Sequence, residues 1–314
     1  MLSGVNELGL KGNTMQKLII KVALNEWVMK EANPHAPYGP DEIAADIVRC
    51  AKAGASVFHF HGREPKTGAQ RRADTKLFAE AFRLAQAEVD CIIAPGYEGP
   101  KPLEQRFTHW EELSKDPSLR FEMGVFDIGQ FNLTSYDELK RGVAPQLETF
   151  NNQHGDMKWC FEFAKKLGIR YTLGLREPGH LRSCLAYHEY GWLPGPLALK
   201  FYLSAKHPYG LPPTVRGLQM YVDMIPPGVP HLWFTEIKGS EVHIPLSSVV
   251  VAMGGHVRTG LGDNWIINGR PISNLEFVET FANLAERGGR GVATAQEARV
   301  MLGIKPRADL AAAA

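Results

Sequence analysis

Two histidines one residue apart, His59 and His61 in "SVFHFHGREP", close an apolar run that reads as a strand. Side chains alternate across a strand, so both imidazoles project to one face with Val57, while Phe58 and Phe60 project to the other. Neutral imidazoles at i and i+2 form a compact chelate for zinc or another divalent metal. The plain alternative is a pair of histidines hydrogen-bonded to loop carbonyls or carboxylates. A second stretch, "GGHVRTGLGDN" at 254–264, offers Arg258 as a planar fork for an anion and Asp263 as a base or ligand. Its glycines permit close approach of backbone to a ligand. Read alone, it is equally a Gly-rich loop with an Arg–Asp ion pair.

These residues need a scaffold that brings distant stretches together. Eight apolar runs qualify as strands: "KLIIKVALNE", "SVFHFH", "CIIAPG", "FEMGVFDIG", "IRYTLGL", "LALKFYLS", "HLWFTEI" and "HVRTGL". Segments of helical period lie between them, at about 40–54, 74–87, 103–114, 155–167, 179–190, 213–224, 245–253 and 273–287. In the first, Pro40 suits the opening helical position, Asp41 and Glu42 favour the positive end of the helix, and Gly54 suits its close. Eight strand–helix repeats predict an α/β chain folded as a (β/α)8 TIM barrel, with a doubly wound open sheet as the alternative. A barrel collects its chemistry at the C-terminal strand ends. His59, His61, Asn25 and Glu26, Gly96 to Glu98, Asp127, Glu177, His207, Glu236, Lys238, Arg258 and Asp263 all fall there.

The composition agrees with a small-molecule enzyme. Thirty-five Lys and Arg against 34 Asp and Glu leave no electrostatic footprint for nucleic acid or a membrane surface. With 44% hydrophobic residues and no Pro/Gly/Ser linker, residues 17–314 are expected to form one domain behind a flexible leader at 1–16. The leader lacks a secretory apolar block, no run is long enough to span a bilayer, and Cys50, Cys91, Cys160 and Cys184 form no C-x-x-C pair. A cytoplasmic protein with reduced thiols follows as the expectation.

Three blocks in this order, "NPHAPYGPDEIAADIVRCAKAGASVFHFHGREPKTGAQ", "GGHVRTGLGDN" and "GRGVATAQEARVML", resemble the β-keto acid cleavage enzymes, whose founding activity is 3-keto-5-aminohexanoate cleavage. The resemblance implies a zinc-containing barrel that condenses a β-keto acid with acetyl-CoA and releases acetoacetate and a new acyl-CoA. His59 and His61 match the family's histidine ligands, Asp263 its general base and Arg258 the arginine beside that base. The family's acidic third ligand falls at Gly262, which has no side chain. Glu236, at the end of strand seven, is the favoured replacement, ahead of Glu26 at the end of strand one, and then of water or Asp263. Asn25, Glu26, Gly96 and Tyr97 are the expected substrate contacts. Gly96 and Val125 stand where the founding enzyme carries a serine and a threonine, which implies a different keto acid with a less polar tail. Symmetric dimers or tetramers are implied too, with 140–160 and "YHEYGWLPGPLALKFY" as interface segments. Two other functions stay open: a CoA-independent metal lyase or hydrolase, and a binding barrel for a small acid.

Overall fold

The computed structural model describes residues 15–99, 101–142 and 149–305. The leader expected at 1–16 falls almost wholly outside the described residues, as does part of the segment 140–160. All eight expected strands form: β1 Ile20–Ala23, β2 Val57–Phe60, β3 Ile92–Pro95, β4 Met123–Asp127, β5 Arg170–Leu175, β6 Leu197–Ser204, β7 His231–Lys238 and β8 His256–Thr259. They make one parallel sheet in the order β3-β2-β1-β8-β7-β6-β5-β4. A bridge between Ile93 and Phe121 joins its two ends, so the sheet closes into a barrel. The open-sheet alternative is excluded.

Strand alternation divides the interior from the wall. Val57, Ile92, Ala94, Met123, Ala198, Leu232 and Phe234 form an apolar floor inside the barrel, capped from below by Leu302 and Ile304. On β2 the opposite parity sends Phe60 outward, where it stacks on Phe78 of the helix Thr75–Glu88 at 5.1 Å between ring centres. One helix starts earlier than expected, at Ser240 rather than near 245, because Pro245 is accommodated inside it. Two helices were not anticipated, Tyr136–Lys140 and Ala295–Leu302, each opened by a reciprocal capping box, Ser135 with Glu138 and Thr294 with Glu297. The four cysteines are free and buried, and no helix of the described residues is long and apolar enough to cross a membrane.

Candidate active site

Above the apolar floor the inward positions turn polar. A cavity of about 220 Å3 opens at the C-terminal strand ends, lined among others by Glu26, His59, His61, Arg176, Lys200 and Glu236. A larger cleft of about 610 Å3 runs along the helix Pro40–Lys52, outside the barrel and away from the strand ends that carry the histidines.

His59 is fixed by its own neighbour strand. Its Nδ1 donates to the carbonyl of Ala94 at 2.8 Å, which leaves the Nε2 lone pair free and 3.6 Å from Glu26 Oε1. His61 Nδ1 is buried and has no hydrogen-bond partner. Burial, reinforced by the Arg258 cation, pushes the His59 pKa well below its ordinary value. Burial likewise pushes that of His61 down to about 4, against the pull of Glu26. Both rings are therefore neutral at pH 7, the form that ligates metals.

Glu26, not Glu236, completes the group. Ligand atoms of Glu26, His59 and His61 all lie within 4.8 Å of one another. The reason is a side chain that is missing elsewhere: a Cβ on Gly262 would stand 2.8 Å from Glu26 Cγ, so the glycine opens the volume that the Glu26 side chain fills. Glu26 also holds a left-handed backbone, φ +26°, a conformation costly for a residue with a Cβ. Arg63 and Gln70 pin its carbonyl at 2.8 and 2.6 Å. Glu236 instead belongs to a cation cluster, with Lys200 at 2.9 Å and Lys238 and Arg258 each at 3.2 Å. Its expected role as third ligand is corrected accordingly: its carboxylate is spent on three cations. Burial opposes its ionisation, but Arg258 and Lys200 overrule it and hold the carboxyl well below the usual range. Glu26 shows the same balance, with Arg258 and Lys238 as the winning cations.

Arg258 Nε and Nη2 donate side by side to the two oxygens of Asp263, at 2.9 and 3.0 Å, and the same Nη2 also donates to Glu26 Oε1. Asp263 lies beneath Arg258 and off the cavity wall. Burial raises its pKa, with the Glu236 carboxylate adding to the rise, against Arg258 and Lys238. It is the most basic carboxylate of the cluster.

The expected substrate contacts divide. Tyr97 lines the cavity and donates to Asp127 Oδ2 at 2.7 Å. Gly96 lines it as well, and a Cβ there would come within 2.5 Å of His61 Cδ2, so this position makes room for the His61 ring. Asn25 is corrected: it is fully buried and staples β1 to β2, donating to the carbonyls of Pro37 and His61 and accepting from the His61 amide at 2.9 Å. Glu177 caps the helix Pro178–Glu189 rather than facing the cavity. Residues that sequence reasoning passed over, Arg176, Lys200, Tyr202 and Tyr209, line the wall opposite the histidines, together with His207, which was expected at the barrel mouth. For Lys200 and Tyr202 a signal existed: in "LALKFYLS" a lysine interrupts an apolar strand and shares its face with Tyr202 two residues on.

The sequence profile of the beta-keto acid cleavage enzymes matches residues 17–304. The chain belongs to this family. Among curated members, the 3-keto-5-aminohexanoate cleavage enzyme of Acetoanaerobium sticklandii is 31% identical over 297 residues, covering 92% of this chain and 99% of that one. The 3-dehydrocarnitine:acetyl-CoA trimethylamine transferase of Rhizobium meliloti is 25% identical, covering 87% and 91%. Among solved structures, apo ObcA superposes with a TM-score of 0.68 at 13% identity, over 86% of this chain and 66% of that one, a likeness of fold. The family resemblance read from the three sequence blocks is thus borne out, and the barrel with it.

Proposed function

We propose that this chain is a divalent-metal-dependent acyltransferase that exchanges a β-keto acid with acetyl-CoA, yielding acetoacetate and a new acyl-CoA. The observation that carries this reading is the convergence of His59, His61 and Glu26 at a cavity wall, two neutral imidazoles and one carboxylate with an orphaned Nδ1 among them. That N, N, O donor set fits zinc. When bound, the ion supplies Lewis-acid charge to the substrate's keto and carboxylate oxygens. Asp263, the most basic carboxylate of the cluster, removes the proton between the two carbonyls, which requires the Arg258 side chain covering it to shift when substrate enters. Arg258 orients that carboxylate and places positive charge beside the forming enolate. The enolate carbon attacks the thioester and expels the CoA thiolate. The thiolate then adds to the original keto carbon, the bond to the new acetoacetate carbon breaks, and Asp263 returns the proton.

Elemental mass spectrometry on the parent and on His59→Ala tests the site, with about one zinc per chain expected in the parent and little in the variant. Acetyl-CoA labelled in its acetyl group tests the reaction, because the label must appear in acetoacetate. Consumption of keto acid without CoA would instead support a lyase or hydrolase, and tight binding of a small acid with neither metal nor turnover a binding barrel. A cytoplasmic location, supported by four buried free thiols, and a dimer or tetramer belong to the same proposal. Light scattering on the purified chain checks the latter.

A further inference from the structure

The cavity has a second pole. In an eight-stranded barrel β5 and β6 stand four strands round from β1 and β2, so the groups they carry face the histidines across the mouth. There Arg176 pairs with Asp127 at 2.8 Å and lies over the rings of Tyr202 at 3.9 Å and Phe131 at 4.2 Å. Asp127 is saturated: beyond Arg176, its Oδ2 accepts from Tyr97 at 2.7 Å and its Oδ1 from Tyr202 at 3.1 Å. Arg176 is not. Its Nε and Nη1 are buried, Nη1 against Asp127 Oδ1, so a guanidinium with five N–H groups has one carboxylate oxygen as its charged contact while the side chain lines the cavity. Space for Asp127 is kept by Gly174, where a Cβ would collide with Oδ1.

Charge sharpens the choice of ligand. The wall carries Arg72, Arg176, Lys200, Lys238 and Arg258 against Glu26, Asp127 and Glu236, and counting Asp263 behind Arg258 still leaves cations ahead by one. An ammonium at this pole would face Arg176 and Lys200 and find Asp127 already committed. A methyl group would leave the guanidinium's donors unanswered. Where Gly96 and Val125 offer no hydroxyl, this wall offers charged groups from other strands, which supports a charged tail over the less polar one expected from those two positions.

Resting on the acyltransferase reading above, we propose that Arg176 recognises a terminal carboxylate, so that the substrate is a short-chain β-keto dicarboxylic acid. Its β-keto acid end faces His59 and His61 and its distal carboxylate faces Arg176. The volume of about 220 Å3 restricts the chain between them to a few methylenes.

Three β-keto acids of equal length, ending in a carboxylate, a methyl or an ammonium group, test this with acetyl-CoA. The parent is expected to prefer the carboxylate-ended acid in kcat/KM by roughly 10- to 100-fold over the methyl-ended one. In Arg176→Gln that ratio should collapse towards one, chiefly through KM, while Arg176→Lys keeps part of it. Preference for either other acid, or an unchanged ratio in Arg176→Gln, would overturn the assignment. If none of the three acids turns over, the acyltransferase reading fails, and titration calorimetry with glutarate and butyrate still decides the subsite. Glutarate binding that is lost in Arg176→Gln supports it, and equal binding of both acids by the parent overturns it.

Discussion

Gly262 and Glu26 lie far apart in the chain, yet one is the reason the other reaches the histidines. Exchange of the two side chains between strand ends is therefore testable as a swap. Gly262→Glu should push the Glu26 side chain aside and lower metal content, and Glu26→Gly in the same chain should restore it, with metal per chain as the measure. Glu26→Gly alone should lose metal, while relief of a left-handed backbone that costs about 1–3 kcal/mol in a residue with a Cβ offsets part of the thermal stability lost with the Arg258 ion pair. For the base, Asp263→Asn should reduce kcat by roughly 10²- to 10⁴-fold. Since burial raises the Asp263 pKa, the parent's rate should rise with pH as this carboxyl loses its proton. That acid limb should be missing from the residual activity of the variant.

At the scale of elements, the histidines are aimed into the cavity by their strand's parity and secured by neighbours. Asn25 is the tie between the ends of β1 and β2, bonding the His61 amide and carbonyl together. Asn25→Ala should cost about 1–3 kcal/mol in chemical denaturation, the penalty for buried groups left unpaired, and should weaken metal binding by freeing the turn that carries His61. Element identity was legible in the sequence, because eight short apolar runs separated by helical periods leave few alternatives. His59 and His61 were legible too, since alternation on one strand is a local rule. The third carboxylate was not. Glu26 and Glu236 both end strands, and what separates their roles is Lys200, which pairs with Glu236, and the room that Gly262 leaves for Glu26 beside the histidines. Arg176 escaped for a related reason: its partners Asp127 and Tyr202 come from β4 and β6, on either side of its own strand. The helix Ala295–Leu302 escaped although "TAQE" at 294–297 carries its capping box.

For the whole molecule, burial of neutral imidazoles sets the acid limit. Burial pushes His61, His109 and His243 down to about 4 and His256 to about 3. Unfolded, each titrates near 6.5, so between that pH and about 4 the unfolded chain binds protons that the folded chain refuses, and stability falls as pH falls. The melting temperature should drop from pH 7 to pH 5, before carboxylates protonate, and His243→Gln should make the drop shallower. The barrel wall holds one further consequence. Around most of its circumference adjacent strands share a ladder, but β3 and β4 meet at the single bridge of Ile93 and Phe121, with the Tyr97–Asp127 hydrogen bond clasping the same seam at the mouth. Such a wall behaves as a split collar, stiff everywhere except along one cut, so its bore widens by slippage at that cut without unzipping any ladder. Amide exchange should be fastest, among the strands, along the facing edges of β3 and β4, and Tyr97→Phe should speed it there alone.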